Sequence, residues 1–399
     1  MDNSDIEDKL GFPLKESQAE AAGHAADQAR RGTPVRLCLY HRTGEGKTIA
    51  SLACVAQGGA QSVLVLAPPV THPKWVEVGA TLGVHVTPVS HAKFRMKDFK
   101  VSRKQAIIVD EFHLLGGHKG QGWKKMDRLA KGLQAPLVIC SATPNYNDAE
   151  RVYCVMHVLA PDTVKGGYIQ FLYQHCETTV NPFGQEPIVD GFRTGQTAEE
   201  FLAALPYVHY VEDEAIKQIV IEDIPAVCPD LPDELVDYGW DVWGNRIVAS
   251  QMEEKHRIKR YRMLYSSGDF ELTLFKQIDD LVKSDTGQVL IYFDSSELAK
   301  AFYARTVEYG WRSVIVHGTL SATNKHRRVQ AFLEGNAQIM VGTATMATGL
   351  DGVDKVCDRL IIVDDTDDDA KRRQLMGRIL PRGLDTDISK KTVQRLVFP

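Results

Sequence analysis

The sequence lacks any apolar run that approaches the roughly 20 residues a helix needs to cross a membrane. It also lacks the features of a secretory signal peptide, because its first ten residues, MDNSDIEDKL, are acidic and polar. Seven cysteines are present, but they are scattered and form no C-x-x-C pair, so we expect neither a zinc site nor a disulfide framework. Together these absences indicate a protein of a reducing cytoplasm.

An excess of positive charge is also absent, since 47 Lys and Arg stand against 52 Asp and Glu, for a net charge of −5. A strongly basic total would have favoured nucleic acid as a partner. Three short segments are nevertheless basic: 93–104, 253–262 and 325–328. Most charge runs are solvated surface, so these segments alone leave nucleic-acid binding undecided.

What the chain does contain is short apolar runs, four within residues 1–160 and four within 286–399. Continuous runs of this length rich in β-branched residues are typical of buried parallel strands. The segments between the runs are long enough for crossover helices. We therefore predict two α/β domains with parallel sheets flanked by helices. The predicted strands are VRLCLY (35–40), SVLVLA (62–67), AIIVD (106–110), LVICSA (137–142), QVLIYFD (288–294), SVIVHG (313–318), QIMVGT (338–343) and RLIIVDD (359–365).

Residues 161–285 differ from both parts. Two stretches rich in Pro and Gly, 180–196 and 223–240, are predicted to be irregular. FELTLFKQIDDLV (270–282) carries an amphipathic stripe and is predicted to be a helix. We interpret 161–285 as an insertion with linking helices.

HRTGEGKT (41–48) lies between a predicted strand and a predicted helix, which is the context of a phosphate-binding loop. Glycines allow backbone N–H groups to face phosphate oxygens, and the helix N-terminus adds partial positive charge. Lys47 would reach the β- and γ-phosphates, and Thr48 would hold Mg²⁺. His41 stands where the strict pattern has its first glycine. The predicted nucleotide contacts are Thr43, Gly44, Glu45, Gly46, Lys47 and Thr48.

Two adjacent acids end the predicted strand in AIIVDEFH (106–113). The carboxyl ends of parallel strands are where α/β sheets bind ligands. Asp110 could hold Mg²⁺ through water, and Glu111 could polarise the attacking water. The alternative is a solvated turn, but the phosphate loop upstream favours the catalytic interpretation.

With these two features in place, the chain resembles superfamily 2 helicases and translocases, whose cores are two RecA-like domains. The resemblance covers 1–160 and 286–399 and rests on several motifs in the family's order. DEFH resembles a D-E-x-H box, and two segments resemble Swi/Snf-type translocases: LAPPVTHPKWVE (66–77) and SATPNYN (141–147). The remaining motifs are VSHAKF (89–94), VLIYFDS (289–295), the stretch 316–352 that ends in motif V, and QLMGRILPR (374–382) for motif VI.

The resemblance implies roles for single residues. Gln18, in FPLKESQ (12–18), would read adenine, and Asp351 would face the nucleotide. Nucleic-acid contacts are implied for Pro68, Lys74, Trp75, Ser90, His91 and Thr343. A role in coupling ATP hydrolysis to the binding of the nucleic-acid strand is implied for His113, Ser141, Thr143, Gly349 and Gln374. Taken alone, a residue such as Trp75 belongs more often to a core than to a base-stacking surface.

Motif VI implies Arg378 as an arginine finger that acts on the γ-phosphate. The family has a second arginine seven residues after the glutamine, but Pro381 stands there and Arg382 follows. One residue is about 100° of rotation on a helix, and proline disfavours a continuing helix. Either the helix ends early and Arg382 reaches the site, or the second finger is absent. We favour the first alternative.

The resemblance implies ATP and Mg²⁺ as cofactors and a helicase or translocase that moves on single- or double-stranded DNA. An RNA helicase and a nucleic-acid-binding clamp with a weakened ATPase stay open as alternatives. The compact core resembles phage-encoded motors. We therefore expect a monomer in the cytoplasm of a bacterial or phage-infected cell, with no membrane association and with replication, recombination or repair proteins as further partners.

Overall fold

The chain forms two compact units, Met1–Asp213 and Glu214–Pro399. This division falls inside the predicted segment 161–285, so the boundaries predicted at 160 and 285 differ from it. The computed structural model describes residues 2–41, 44–141, 149–164, 166–181, 186–211, 218–227, 239–240, 246–247, 269–284, 286–347, 352–365, 369–380 and 388–397.

The first unit is built on a six-stranded parallel sheet in the order β3-β2-β4-β5-β1-β8. A separate antiparallel pair, β6–β7, follows α8. The strands are β1 (Arg36–His41), β2 (Ser62–Leu66), β3 (His85–Val89), β4 (Ala106–Asp110), β5 (Leu137–Ser141), β6 (Cys176–Thr179), β7 (Ile188–Phe192) and β8 (Val208–Val211). The helices are α1 (Asn3–Leu10), α2 (Glu16–Arg30), α3 (Lys47–Gln57), α4 (His72–Leu82), α5 (His91–Arg95), α6 (Gln121–Ala130), α7 (Ala149–Leu159), α8 (Tyr168–His175) and α9 (Ala198–Ala203).

Two apolar cores cover the two faces of this sheet. One core joins the sheet to α1, α2, α3 and α4, and the other joins it to α5, α6, α7, α8 and α9. The strands are buried almost throughout, as the continuous apolar runs require of a sheet covered on both faces.

The second unit repeats this plan with the parallel order β13-β14-β12-β15-β16-β9. Its strands are β9 (Ile221–Pro225), the short antiparallel pair β10 (Gly239–Trp240) and β11 (Arg246–Ile247), β12 (Gln288–Phe293), β13 (Ser313–Val316), β14 (Ile339–Gly342), β15 (Cys357–Asp364) and β16 (Thr392–Val397). Its helices are α10 (Asp269–Lys283), α11 (Ser296–Glu308), α12 (Ala322–Leu333) and α13 (Asp369–Met376). Apolar cores again lie on both faces of the sheet.

The predicted fold of two α/β domains with parallel sheets is confirmed, and all eight predicted strands are present. The sequence did not indicate the edge strands β8 and β9, which come from the segment 161–285. The prediction that 180–196 is irregular was wrong for Ile188–Phe192, which pairs with β6. Strand formation there depends on this pairing, which the local composition does not reveal. No helix within the described part of the chain is long and apolar enough to span a bilayer.

Candidate nucleotide-binding site

The phosphate loop connects the end of β1 to the first residue of α3, Lys47. Gly44 and Gly46 adopt left-handed backbone conformations, with φ of 86° and 78°. A Cβ at residue 46 would lie 2.2 Å from Nε2 of Gln18, so a side chain there would displace the Gln18 amide from its contacts with the loop. Both the left-handed φ and the nearby Gln18 amide therefore favour glycine at residue 46. The N-terminus of α3 lies at the loop, where its partial positive charge would face a bound phosphate. Thr43 lies outside the described residues.

Gln18 is 3% exposed and ties the first turn of α2 to the loop. Its Nε2 donates to the carbonyl oxygens of Glu45 at 3.0 Å and Gly46 at 3.4 Å. Its Oε1 accepts from the backbone N–H of Lys15 at 3.1 Å. The amide thus fixes the loop from within, and the adenine contact implied for Gln18 stays a prediction.

Glu45 is buried and its carboxylate turns toward the start of α2. Ser17 Oγ donates to Oε1 at 2.7 Å, and the Lys15 ammonium lies 3.5 Å from Oε2. The carboxylate side chain is engaged within the protein, so the expected nucleotide contact of residue 45 is left to its backbone.

Lys47 donates from Nζ to the carbonyl oxygen of His41 at 3.2 Å, which holds its ammonium against the beginning of the loop. Thr48, the second residue of α3, is partly exposed. Both residues therefore lie on the first turn of α3, where the phosphate-binding interpretation requires them.

Asp110 is the last residue of β4, and the pKa of its carboxyl is raised to about 7. Burial is the main cause and the neighbouring Glu111 carboxylate adds to it, whereas the Lys47 ammonium opposes the shift. Asp110 Oδ1 accepts from the backbone N–H of Glu111 at 3.1 Å and from Cys140 Sγ at 3.8 Å. A divalent cation would relieve the repulsion between the two carboxylates.

These oxygen donors fit Mg²⁺, which is usually bound through one or two carboxylates, waters and substrate phosphates. The described residues contain no group of three or more His, Cys, Asp or Glu that could hold a metal ion by itself. A site with Asp110 and Thr48 would therefore depend on phosphate oxygens for completion.

Glu111 has φ 50° and ψ 58°, and it is the only non-glycine residue with positive φ among those that the structure describes. Such a conformation costs on the order of 1–3 kcal/mol, and strain of this kind clusters at functional sites. The residue is buried, and its Oε2 has no hydrogen-bond partner among the described residues. The same oxygen lies 3.5 Å from Nδ1 of His113. Glu111 is thus a buried carboxylate held in an unusual backbone conformation beside Asp110.

The D-E-x-H segment meets the end of β5 through His113. Its Nδ1 lies 3.4 Å from the hydroxyl of Ser141, the last residue of β5. The structure therefore brings together two of the residues predicted to couple hydrolysis to strand grip. The third in this region, Thr143, lies outside the described residues.

The residues of the first unit that are predicted to contact nucleic acid differ in their exposure and position. Pro68 precedes a short 3-10 turn, and Lys74 is exposed with its ammonium 3.3 Å from Glu77. Ser90 caps α5, since its hydroxyl accepts from the backbone N–H of Lys93 at 3.2 Å. Pro68, Lys74 and Ser90 lie in the turns or first helical turns that follow β2 and β3, at the edge of the sheet where α/β folds bind ligands.

Trp75 and His91 have buried side chains, which corrects their predicted role as direct strand contacts. Trp75 is 1% exposed and packs in the core of the first unit. His91 is 6% exposed, and its Nε2 lies 2.9 Å from the carbonyl oxygen of Asp110. Burial lowers the pKa of His91 to about 4, so its ring is neutral near pH 7.

In the second unit, three predicted site residues are described, and all are buried: Thr343, Gln374 and Arg378. Thr343 follows β14, and its hydroxyl lies 3.2 Å from that of Thr345. The helix α13 ends at Met376, before Pro381, and the role of Arg382 as a second finger stays a prediction. Gly349, Asp351, Pro381 and Arg382 lie outside the described residues.

Residues 273–382 match the family model of the helicase conserved C-terminal domain. Two curated relatives match over part of the chain, and both are described as ATP-dependent RNA helicase DBP5. The protein of Debaryomyces hansenii is 24% identical over 121 residues, which are 30% of this chain and 24% of that protein. The protein of Scheffersomyces stipitis is 26% identical over 100 residues, 25% of this chain and 20% of that protein. The match therefore spans about a quarter or less of these relatives.

Two solved helicase structures are similar over nearly the whole chain. Dbp5 of S. cerevisiae bound to RNA and ADP BeF3 has a TM-score of 0.53 at 15% identity, covering 98% of this chain and 89% of that chain. The Lhr helicase of Mycobacterium smegmatis bound to ssDNA and AMP-PNP has a TM-score of 0.51 at 14% identity, covering 97% of this chain and 48% of that chain. At these identities the likeness shows the fold alone, which is that of two tandem RecA-like α/β domains.

Sequence reasoning missed the contacts that organise the phosphate loop. Lys15 and Ser17 hold the Glu45 carboxylate, and His209 of β8 contacts the ring of His41. These partners lie 28 to 168 residues apart in the chain, and no local pattern marks them.

Proposed function

We propose that this protein is an ATP-driven helicase or translocase of superfamily 2 that moves along nucleic acid, with DNA as its track. One observation carries the proposal: the phosphate loop and the adjacent acids Asp110 and Glu111 lie together in the first unit. The match of 273–382 to the helicase C-terminal domain supports it. The Lys47 charge acts on Asp110, so the loop and the acids share one electrostatic site.

In this proposal Thr48 and Asp110 would hold Mg²⁺, which would neutralise charge at the transferred phosphate. Lys47 exchanges its contact with the His41 carbonyl for one with the β- and γ-phosphates. Glu111 positions the attacking water and accepts its proton, a role suited to a carboxylate whose Oε2 accepts no hydrogen bond from the described residues. Arg378 stabilises the charge that develops on the γ-phosphate, as the resemblance to motif VI implies.

The track contacts are best supported on a basic surface of the first unit, which we call the α5–α6 surface. It carries exposed cations on α5, on the segment after it and on α6, with Asp98 as the exposed acid among them. Such a density of positive charge in a chain of net charge −5 favours a polyanionic partner. The cations of the α5–α6 surface are Lys93, Arg95, Lys97, Lys100, Arg103, Lys104, Lys124, Arg128 and Lys131.

Lys125 makes the α5–α6 surface a fixed structure. Its Nζ donates to the carbonyl oxygens of Met96 at 2.8 Å and Phe99 at 2.5 Å. The same ammonium lies 5.1 Å and 5.4 Å from the ring centroids of Phe94 and Phe99. The cations of this segment are thus presented from an anchored loop, which lowers the entropy lost on binding a phosphate backbone.

An RNA helicase is the second candidate, because both curated relatives are described as RNA helicases. DNA is preferred because segments 66–77 and 141–147 resemble Swi/Snf-type translocases. Steady-state ATP turnover with duplex DNA, single-stranded DNA and RNA separates the two. We expect stimulation by DNA, and stimulation by RNA alone would favour the second candidate. A strand-displacement assay on the same substrates tells unwinding from translocation.

A clamp with a weakened ATPase is the remaining alternative. It predicts nucleic-acid binding without stimulated turnover. Measurable ATP hydrolysis that rises with nucleic acid and disappears in Glu111→Gln would exclude the clamp.

A further inference from the structure

His41 is fully buried at the end of β1, and its ring contacts a second histidine. Its Nε2 lies 2.7 Å from Nδ1 of His209 on β8. The two strands are parallel neighbours, with Leu39 opposite His209 and His41 opposite Val211. The two histidines therefore lie on one face of the sheet at diagonal positions, where their rings can meet.

The chain of contacts continues from His209 to the surface. Its Nε2 lies 3.2 Å from Oε2 of Glu20 on α2, a side chain that is 57% exposed. An ionised carboxylate only accepts hydrogen bonds, so His209 carries its proton on Nε2 and accepts on Nδ1. His41 must then donate from Nε2, which leaves its Nδ1 as an acceptor without a partner among the described residues.

Both rings are neutral in this arrangement. Burial is the main cause that lowers the pKa of His41 to about 3, and burial also lowers the pKa of His209. The charged or titratable groups facing the pair are Lys47 and Glu45 from the loop and Glu20 and His24 from α2. The tautomers are thus set by hydrogen bonding across the neutral pH range.

The backbone of His41 links this pair to the phosphate loop. Its carbonyl oxygen accepts from Lys47 Nζ at 3.2 Å. Its backbone has no positive φ, so the glycine of the strict pattern is not required here for conformation. The position is therefore able to carry a side chain, and that side chain anchors the first residue of the loop to β8.

We propose that Glu20, His209 and His41 form a positioning chain that sets the geometry of the phosphate loop and of Lys47. This inference rests on the proposed function, because it assigns the loop to nucleotide binding. The three residues act through the loop backbone and are positioning residues.

The test measures the affinity for a fluorescent ADP analogue in His41→Gly, His209→Phe and the double variant. Loss of one hydrogen bond corresponds to roughly 2- to 10-fold weaker binding. We expect each single variant to show this loss and the double variant to lose no more than either, because both break the same contact. His209→Asn, whose amide oxygen can take the acceptor place of Nδ1, should recover most of the affinity.

His24→Ala is the matched control, because its ring packs edge-on against that of His209, with ring centroids 5.6 Å apart, and does not belong to the Glu20–His209–His41 chain of contacts. It should leave affinity unchanged. Thermal melting of every variant accompanies the binding data, since a merely structural role would lower Tm and leave the affinity of the folded protein unchanged.

Nitrogen-15 spectra of labelled histidine provide a readout that needs no nucleotide. We expect both His41 and His209 as Nε2–H tautomers. If the wild type binds the analogue, either of two results would overturn this inference alone. One is the Nδ1–H tautomer at His209, and the other is a double variant whose loss of affinity equals the sum of the two single losses. Absence of any nucleotide binding by the wild type would overturn the proposed function and this inference with it.

Discussion

The Nε2 atom of His91 lies 2.9 Å from the carbonyl oxygen of Asp110, so the first residue of α5 is joined to the residue that ends β4. The helix α5 begins the basic α5–α6 surface, and Asp110 is the proposed Mg²⁺ ligand. The neutral ring must donate this hydrogen bond, because a carbonyl oxygen only accepts. The contact therefore connects the proposed track surface with the proposed hydrolytic site.

Replacing His91 by Ala should uncouple these two features. The variant loses a buried hydrogen bond, which costs about 1–3 kcal/mol of stability when one partner is left unsatisfied. We expect the stimulation of ATP turnover by nucleic acid to fall several-fold, with a smaller change in basal turnover. Turnover with and without nucleic acid checks this, and an unchanged stimulation ratio would argue against coupling through His91.

Replacing Gly46 by Ala should abolish nucleotide binding. The new Cβ would lie 2.2 Å from Nε2 of Gln18, and the residue would keep a left-handed φ of 78°. Gly59→Ala is the matched control, because Gly59 has φ 77° and nothing lies within 4 Å of its Cβ position. Both variants carry the same backbone strain, so calorimetric titration with ADP isolates the effect on the loop. Equal affinities for the two variants would contradict the assignment of the loop.

Neutralising the α5–α6 surface should weaken nucleic-acid binding in a salt-dependent way. We expect the Lys97→Gln, Lys100→Gln double variant to reduce the slope of log affinity against log salt by up to about 0.7–0.9 per lost phosphate contact. Arg30→Gln, Arg31→Gln at the end of α2 is a control with the same change in charge. Binding isotherms at several salt concentrations measure the slope. If the two double variants behave alike, the α5–α6 surface is not the track contact.

The free energy of unfolding should fall as the pH is lowered, because His41 is buried and neutral in the folded protein. The pKa of His41 is lowered to about 3, so below the usual value near 6.5 the unfolded state binds a proton that the folded state does not. Stability is therefore present above pH 6.5 and is lost as pH falls, by about 1.4 kcal/mol per pH unit for each such histidine. Urea unfolding of wild type and His41→Asn between pH 7 and 5 compares the slopes. A slope that stays the same in the variant would show that His41 does not contribute to it.

The sequence predicted the fold well because buried parallel strands leave a local signature of continuous apolar residues. It also indicated where the loop and the adjacent acids Asp110 and Glu111 would lie, since glycines after a strand and paired acids at a strand end are local patterns; their chemical roles stay predictions. It could not predict that Gln18 would contact the loop, or that His41 would contact His209. Those relationships depend on the pairing of β1 with β8 and on the packing of α2, which only the folded chain reveals.

The burial of Trp75 and His91 could not be predicted from the motifs for a similar reason. A motif identifies the segment that follows a strand but not which side of that segment faces the core. Trp75 packs with α1 and α3, and His91 turns toward β4. Lys74 and Lys93 are the exposed cations on the same segments.

The most direct test of the proposed motor compares the wild type with Glu111→Gln. It measures ATP turnover with and without DNA, and the binding of an ATP analogue, in both proteins. We expect DNA-stimulated hydrolysis by the wild type. In the variant we expect a loss of turnover with binding retained, because the amide cannot accept a proton from water. Full activity in the variant, or no hydrolysis by the wild type under any nucleic acid, would contradict the proposed function.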